Sequence, residues 1–334
     1  LIVHAQYQQA EELLLHALAV RRQILEANHL DLARTLNDLG VLYRSTGEYD
    51  RAEQFHQEAL HIQEQVLGRN HSDVAQTQYY LARLYRAQGA YLKAEPYYWQ
   101  ALYARERTFG SGHTYVAQSY YGLAKLYNSL EMFQQAEELC MKALHIQEQQ
   151  IEMDNLMIAS TLDVLAKIYK GQGKLDQAEN VNKRALRIRE STLGEDHPQV
   201  AVIINNLIEI YHAQGRYQEA EPLIVRALHI HEQSFGSEHP YMAYSLSNRA
   251  ENYYLCRKYD QAESFYRKAL AIREQKLGVK HPRTASTYYN LARLYNTIER
   301  YEEAESFYLK ALSILENTFG PDHPTVTSTL EQCA

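Results

Sequence analysis

Cysteine is scarce: Cys140, Cys256 and Cys333 are three in 334 residues, odd in number and widely separated. That excludes a disulfide framework or a zinc knuckle and fits a reducing, cytoplasmic setting. No apolar run approaches the roughly 18 residues of a membrane span, and Leu1-Ile2-Val3 is too short for a signal core. Basic residues are outnumbered, 34 Lys and Arg against 41 Asp and Glu, for a net charge of −7. This argues against a general nucleic-acid binder, whose affinity rests on excess positive charge. The chain also lacks a P-loop, a Gly-rich dinucleotide turn, HExxH and a nucleophile elbow, so no enzyme, cofactor or metal is expected. His229-x-His231-Glu232 is the one local cluster of metal-ligand types, but alternate helix positions do not share a face.

What is present is repetition at a fixed spacing of 42. His recurs at 29, 71, 113, 197, 239, 281 and 323, with Asn155 in the remaining place. Tyr recurs at 43, 85, 127, 169, 211, 253 and 295, and Ala-Glu at 52–53, 94–95, 136–137, 178–179, 220–221, 262–263 and 304–305. A period of this size marks a solenoid, in which each unit packs on its neighbours and no size limit on a single core applies. The reading is one array over 1–334. A partial repeat, 1–28, precedes full repeats 29–70, 71–112, 113–154, 155–196, 197–238, 239–280 and 281–322, and 323–334 opens another. The chain begins without Met and inside a repeat, so it reads as a piece of something longer.

Each repeat predicts two helices. The first begins about two residues after the His and ends at the Gly of 47, 89, 173 and 215, with apolar residues three and four apart, as at Ala75, Leu81, Ala82, Leu84 and Tyr85. Pro198, Pro240, Pro282 and Pro324 fall at its start, where a missing N–H costs nothing. The second begins near the next aromatic, such as Tyr49, Tyr91 or Tyr217, and runs to a Gly at 68, 110, 194, 236, 278 and 320. Pro96 and Pro222, about one turn inside it, imply a later start or a slight kink. The third repeat departs from the pattern, with Glu131 in place of Gly and Glu152-Met153-Asp154-Asn155-Leu156 as its exit; the reading is plain drift in a tolerant loop, with a bend or softer joint near residue 152 as the alternative.

Leu81-Ala82-x-x-Tyr85, Gly89, Tyr91, Ala94, Tyr98 and Ala101-Leu102 resemble the tetratricopeptide signature, whose usual period is about 34 residues. The longer period, LGEDHPQVA at 193–201 and Asn205-Asn206-Leu207 are similar to the subclass found in kinesin light chains. The resemblance implies an all-α protein, an α-solenoid of helix-turn-helix repeats wound into a right-handed superhelix. Its first helices would line a concave face that holds an extended peptide or a partner helix.

Counted from the His, offsets 4, 10, 11, 13 and 14 of the first helix are apolar, while 5, 8, 12, 15 and 16 gather on the other side. Offsets 12 and 15 supply Arg44, Arg83, Arg86, Lys125, Lys167 and Lys170 in the first four repeats. Offsets 8 and 9 supply Tyr79, Tyr121, Asn205, Asn248 and Asn290. Bases can grip carboxylates, Tyr gives broad contact area, and Asn can pair with a peptide backbone. These residues are the expected binding set for a protein or peptide partner carrying an acidic and aromatic segment, as in cargo binding by kinesin light chains. The rival readings are a sensor arm of a larger signalling NTPase and an array that spaces or self-associates.

Overall fold

The computed structural model describes residues 2–150, 155–321 and 324–333, and all the regular structure there is helical. The chain divides into two units, 1–172 and 173–334. The first holds α1 (Ile2–Ile24), α2 (Leu30–Thr46), α3 (Tyr49–Leu67), α4 (Ser72–Ala87), α5 (Tyr91–Phe109), α6 (Thr114–Ser129), α7 (Phe133–Gln149) and α8 (Asn155–Gly171). The second holds α9 (Leu175–Leu193), α10 (Pro198–Ala213), α11 (Tyr217–Phe235), α12 (Pro240–Leu255), α13 (Tyr259–Leu277), α14 (Pro282–Thr297), α15 (Tyr301–Phe319) and α16 (Pro324–Cys333).

The repeat histidines begin the first helices. At His29, His71, His113, His197, His239 and His281 the ring Nδ1 accepts the backbone N–H two residues on, at 3.0–3.2 Å. A ring nitrogen can accept only when unprotonated, so each cap requires neutral histidine. The helix then starts one residue after the His, a residue earlier than its pattern suggests. His323 and the divergent segment near residue 152 lie outside the described residues. At the other end, Gly47 takes φ of 87° and its N–H bonds the Tyr43 carbonyl. Glu131, Arg257 and Glu299 hold the same place in their repeats with φ of 57°, 59° and 62°, a region that costs a residue bearing Cβ.

Pro96 and Pro222 do not delay their helices: α5 starts at Tyr91 and α11 at Tyr217, with each proline inside. Both prolines are exposed, so the carbonyl each leaves unpaired is one that water can reach.

Within each unit, the two helices of a repeat pack as an antiparallel pair, and the second helix also packs on the first helix of the next repeat. Small residues make this close contact feasible: Ala52, Ala59, Ala94, Ala101, Ala220, Ala227, Ala262 and Ala269 have no exposed surface. The landmarks of the period are themselves bonding partners. Tyr43, Tyr85, Tyr127, Tyr211 and Tyr295 donate to Glu11, Glu53, Glu95, Glu179 and Glu263, the Glu of the preceding Ala-Glu, 32 residues earlier.

A second link runs beneath them. Arg21, Arg105, Arg189 and Arg273, spaced by 84 residues, each donate to the backbone carbonyl ten residues on. Arg21, Arg105 and Arg273 also reach the hydroxyl fourteen residues on, at Thr35, Ser119 and Thr287. In alternate repeats Gln63, bonded by the Thr77 hydroxyl at 2.6 Å, and His231, 2.9 Å from Ser245, fill the same place. Each link ties a second helix to the next first helix through groups that would otherwise be buried without partners.

Candidate peptide-binding site

First helices also touch the first helices of neighbouring repeats, α2 with α4, α4 with α6 and α6 with α8 in one unit, α10 with α12 in the other. This flank-to-flank contact decides which polar columns remain open. A wheel drawn for an isolated helix puts offset 8 on the open side, yet Asn37, Tyr79, Asn205 and Ser247 at that offset are buried. Asn205 has no exposed surface; its amide donates to Ser245 Oγ at 3.2 Å and its carbonyl accepts from Asn248 at 2.7 Å. Asn205 and Asn248 therefore join α10 to α12 rather than offering a peptide backbone their amides, a correction to the expected set. Asn290 is half-buried on α14.

The bases separate into those that converge and those that do not. On α4, Tyr79, Arg83 and Arg86 lie at positions i, i+4 and i+7, which share a face. On α6, Tyr121 and Lys125 lie four apart. These five, with Tyr98 from α5, line one pocket of about 220 Å³ completed by Gln118, Gly122 and Met157. Arg44 on α2 lies near enough to feel the charges of Arg83 and Arg86, which add to burial in lowering its pKa. Lys167 is exposed and pairs with Asp163 at 2.9 Å, and Lys170 is half-buried on α8; neither lines the pocket.

The pocket's walls are aromatic. Tyr79 meets Tyr98 edge to face at 5.6 Å, Arg83 lies 5.8 Å from the Tyr79 ring centre and Lys125 lies 5.3 Å from that of Tyr121. Gly122 leaves the space that the Tyr98 ring occupies, since a Cβ there would stand 2.5 Å from it. Burial first, and then the charges of Arg86, Lys167 and Arg83, push the Lys125 ammonium down to about 8, opposed by Asp163. Tyr98 and Tyr121 are pushed up to about 12, chiefly by burial. No carboxylate lines the pocket, so its polar groups are overwhelmingly donors.

Tyr98 is absent from the sequence-derived set because it sits on a second helix. Its signal is the residue type at offset 27, which varies from His56 through Tyr98 and Cys140 to Asn182 where a plain core position would hold an aliphatic. Tyr80, next to Tyr79, stacks on His56 at 5.4 Å and serves packing. In the second unit the matching column is not basic: Arg293 pairs with Glu251, which also accepts from Tyr266, and Glu209 accepts from Tyr244.

Among the described residues no three His, Cys, Asp or Glu side chains are placed to share a metal ion, and no helix is long and apolar enough to cross a membrane.

The tetratricopeptide repeat family matches the chain over residues 5–65, 47–107, 73–149, 115–191, 199–275, 241–317 and 283–334. No curated protein matches the chain in sequence. Among solved structures, the "kinesin light chain nearly identical TPR-like repeats" of Podosopora anserina cover 62% of this chain and 98% of their own, at 25% identity and a TM-score of 0.52. A Rap protein complexed with competence and sporulation factor covers 97% of this chain and 86% of its own, at 16% identity and a TM-score of 0.66. A signal transduction ATPase with numerous domains from Pyrococcus horikoshii, which carries a tetratricopeptide repeat sensor, covers 98% of this chain and 49% of its own, at 18% identity and a TM-score of 0.60. The last two likenesses show the fold alone. With a helical hairpin returning every 42 residues and one family matching hairpin after hairpin, the chain belongs to the tetratricopeptide repeat family.

Proposed function

We propose that the chain is a non-catalytic interaction scaffold that holds an acidic, aromatic-containing segment of a partner protein on the face shared by α2, α4 and α6. The observation that carries this reading is the convergence of Arg83, Arg86 and Lys125 with three tyrosines in one pocket free of carboxylates. Cations gathered in a concavity raise the local potential even on a protein of net negative charge. The half-buried Tyr121 ring beside them, backed by the buried Tyr79 and Tyr98, gives an aromatic wall that suits a Trp, Tyr or Phe of the ligand. The solved Rap relative, which is complexed with competence and sporulation factor, is consistent with such use of the fold.

The test is fluorescence anisotropy with acidic, Trp-containing peptides at low salt and near 0.5 M. Specific binding that weakens with salt is expected. Replacing Arg83 and Lys125 together by Glu is expected to weaken it at least tenfold, about 1.4 kcal/mol. Unchanged affinity would remove the pocket from the account. A second reading, the sensor arm of a signalling NTPase, draws on the likeness to the archaeal ATPase. It predicts that a nucleotide-binding domain is encoded beside this array, and sequencing the flanking gene checks it.

A further inference from the structure

The pocket between α4, α5 and α6 has more positive charge and more separate donors than a carboxylate can use. Arg83 and Arg86 enter from α4 and Lys125 from α6, and no carboxylate lines the space between them. The Arg86 Nε is buried and has no hydrogen-bond partner. Arg86 lies close enough to the Tyr98 hydroxyl to oppose the rise that burial gives the Tyr98 pKa. A carboxylate brings one charge and two oxygens in a plane, which a single guanidinium fork satisfies. A phosphate monoester brings close to two charges and three terminal oxygens arranged as a tetrahedron. Those oxygens can accept from donors that arrive from two helices at once, and guanidinium is well matched to them.

We propose that this pocket seats a phosphate monoester, the phosphorylated side chain of a residue in the partner segment. The inference rests on the reading of this face as the docking site for a partner segment and names the group that anchors it. Arg83 and Arg86 supply paired N–H donors, Lys125 closes the opposite side, and the Tyr79, Tyr98 and Tyr121 rings flank the ester carrier. The volume of about 220 Å³ admits the phosphoryl group together with part of its carrier.

The whole chain is titrated calorimetrically at pH 7 with phenyl phosphate, phenylacetate and inorganic phosphate. Phenyl phosphate is expected to bind at least tenfold more tightly than either of the others. Arg86→Gln and Lys125→Gln are each expected to weaken it at least tenfold, while Arg69→Gln, an exposed change in the turn after α3, leaves it unaltered. Melting curves followed by circular dichroism verify that each variant is folded. Paired peptides carrying phosphotyrosine, phosphoserine or Glu at one position then identify the carrier, with a phosphorylated form expected to bind at least tenfold tighter than the Glu form. Equal affinity for phenyl phosphate and phenylacetate overturns the proposal, as does binding that survives Arg86→Gln. Inorganic phosphate binding as tightly as phenyl phosphate overturns the assignment to a phosphorylated residue. If acidic peptides still bind while phenyl phosphate shows no preference, the phosphate assignment fails and the docking face stands; loss of both removes both.

Discussion

The Tyr85 hydroxyl donates to the Glu53 carboxylate at 2.7 Å, joining α4 to α3 across a repeat boundary. Both residues are landmarks of the 42-residue period, and the bond explains why they recur together. Burial and the bonded carboxylate both raise the tyrosine pKa, and at Tyr43 and Tyr295, which make the same bond, it is pushed up to about 12. An acid whose pKa is higher in the folded state contributes stability that is complete below the unfolded value near 10 and is lost as pH rises through the folded value. Denaturant titrations should therefore show stability falling steeply above pH 10. Tyr85→Phe should cost about 1–2 kcal/mol at pH 7, since it leaves Glu53 without a donor it was built around.

Acid should act through two buried histidines. His56 Nδ1 lies 2.8 Å from Asn37 Oδ1, whose amide donates to Thr77, and His231 is buried against Ser245. Burial pushes both pKa values down to about 4, helped at His56 by Arg44 and at His231 by His239. The unfolded chain then binds more protons than the folded one, so stability is full above about 6.5 and falls as pH drops toward 4. The slope is up to about 1.4 kcal/mol per pH unit for each histidine. His56→Asn with His231→Gln, residue types found at the same offsets in Asn182 and Gln147, should flatten it in the same titration.

Glu131, Arg257 and Glu299 occupy left-handed backbone where other repeats use glycine. Glu131→Gly should raise stability by up to about 1 kcal/mol despite the extra freedom it gives the unfolded chain, and the three changes together should add, being far apart in sequence. Thermal melts of single and triple variants check this.

Arg105, 1% exposed, is bonded to the Tyr115 carbonyl, Ser119 and Gln76, and has no carboxylate partner. Burial pushes its pKa down to about 10. Arg105→Ala should cost about 3 kcal/mol by leaving those acceptors unpaired over a cavity. Arg105→Gln should cost less than half as much, because Gln63 and Gln147 fill that place in the flanking repeats. Chemical denaturation of the two variants decides.

Lys125 links stability to binding. A base whose pKa is depressed by folding lowers stability wherever the unfolded chain is still protonated, here below about 10.5. Lys125→Gln should therefore raise stability by roughly 1 kcal/mol at pH 7 while weakening anionic ligands. In the unaltered protein, binding should fall as pH climbs through 8. The charged neighbours that shift Lys125 are Arg86 and Arg83 on α4 and Lys167 on α8, opposed by Asp163 on α8; Tyr79, Tyr98, Tyr121 and, on α7, Cys140 are the other titratable groups around the pocket. Anisotropy between pH 6 and 9.5 measures it.

The sequence by itself determined the helical hairpins, their 42-residue spacing and the roles of the residues that act locally. A histidine that caps the helix behind it, or a proline at a first turn, works within two or three residues, so its meaning is written in the chain. The wheel also put Arg83, Arg86 and Lys125 on the side of their helices that the pocket occupies, because positions four and seven apart share a face whatever surrounds the helix. Tertiary structure decided the rest. Whether an offset-8 residue faces solvent, as a lone helix suggests, or is covered, as Asn205 is by α12, depends on how closely the next first helix approaches. Tyr98 entered the pocket from a second helix, and Arg105 found its partners ten and fourteen residues away in the following repeat. Those outcomes rest on distances between helices, which side-chain volume and packing set and which no periodicity within one helix encodes.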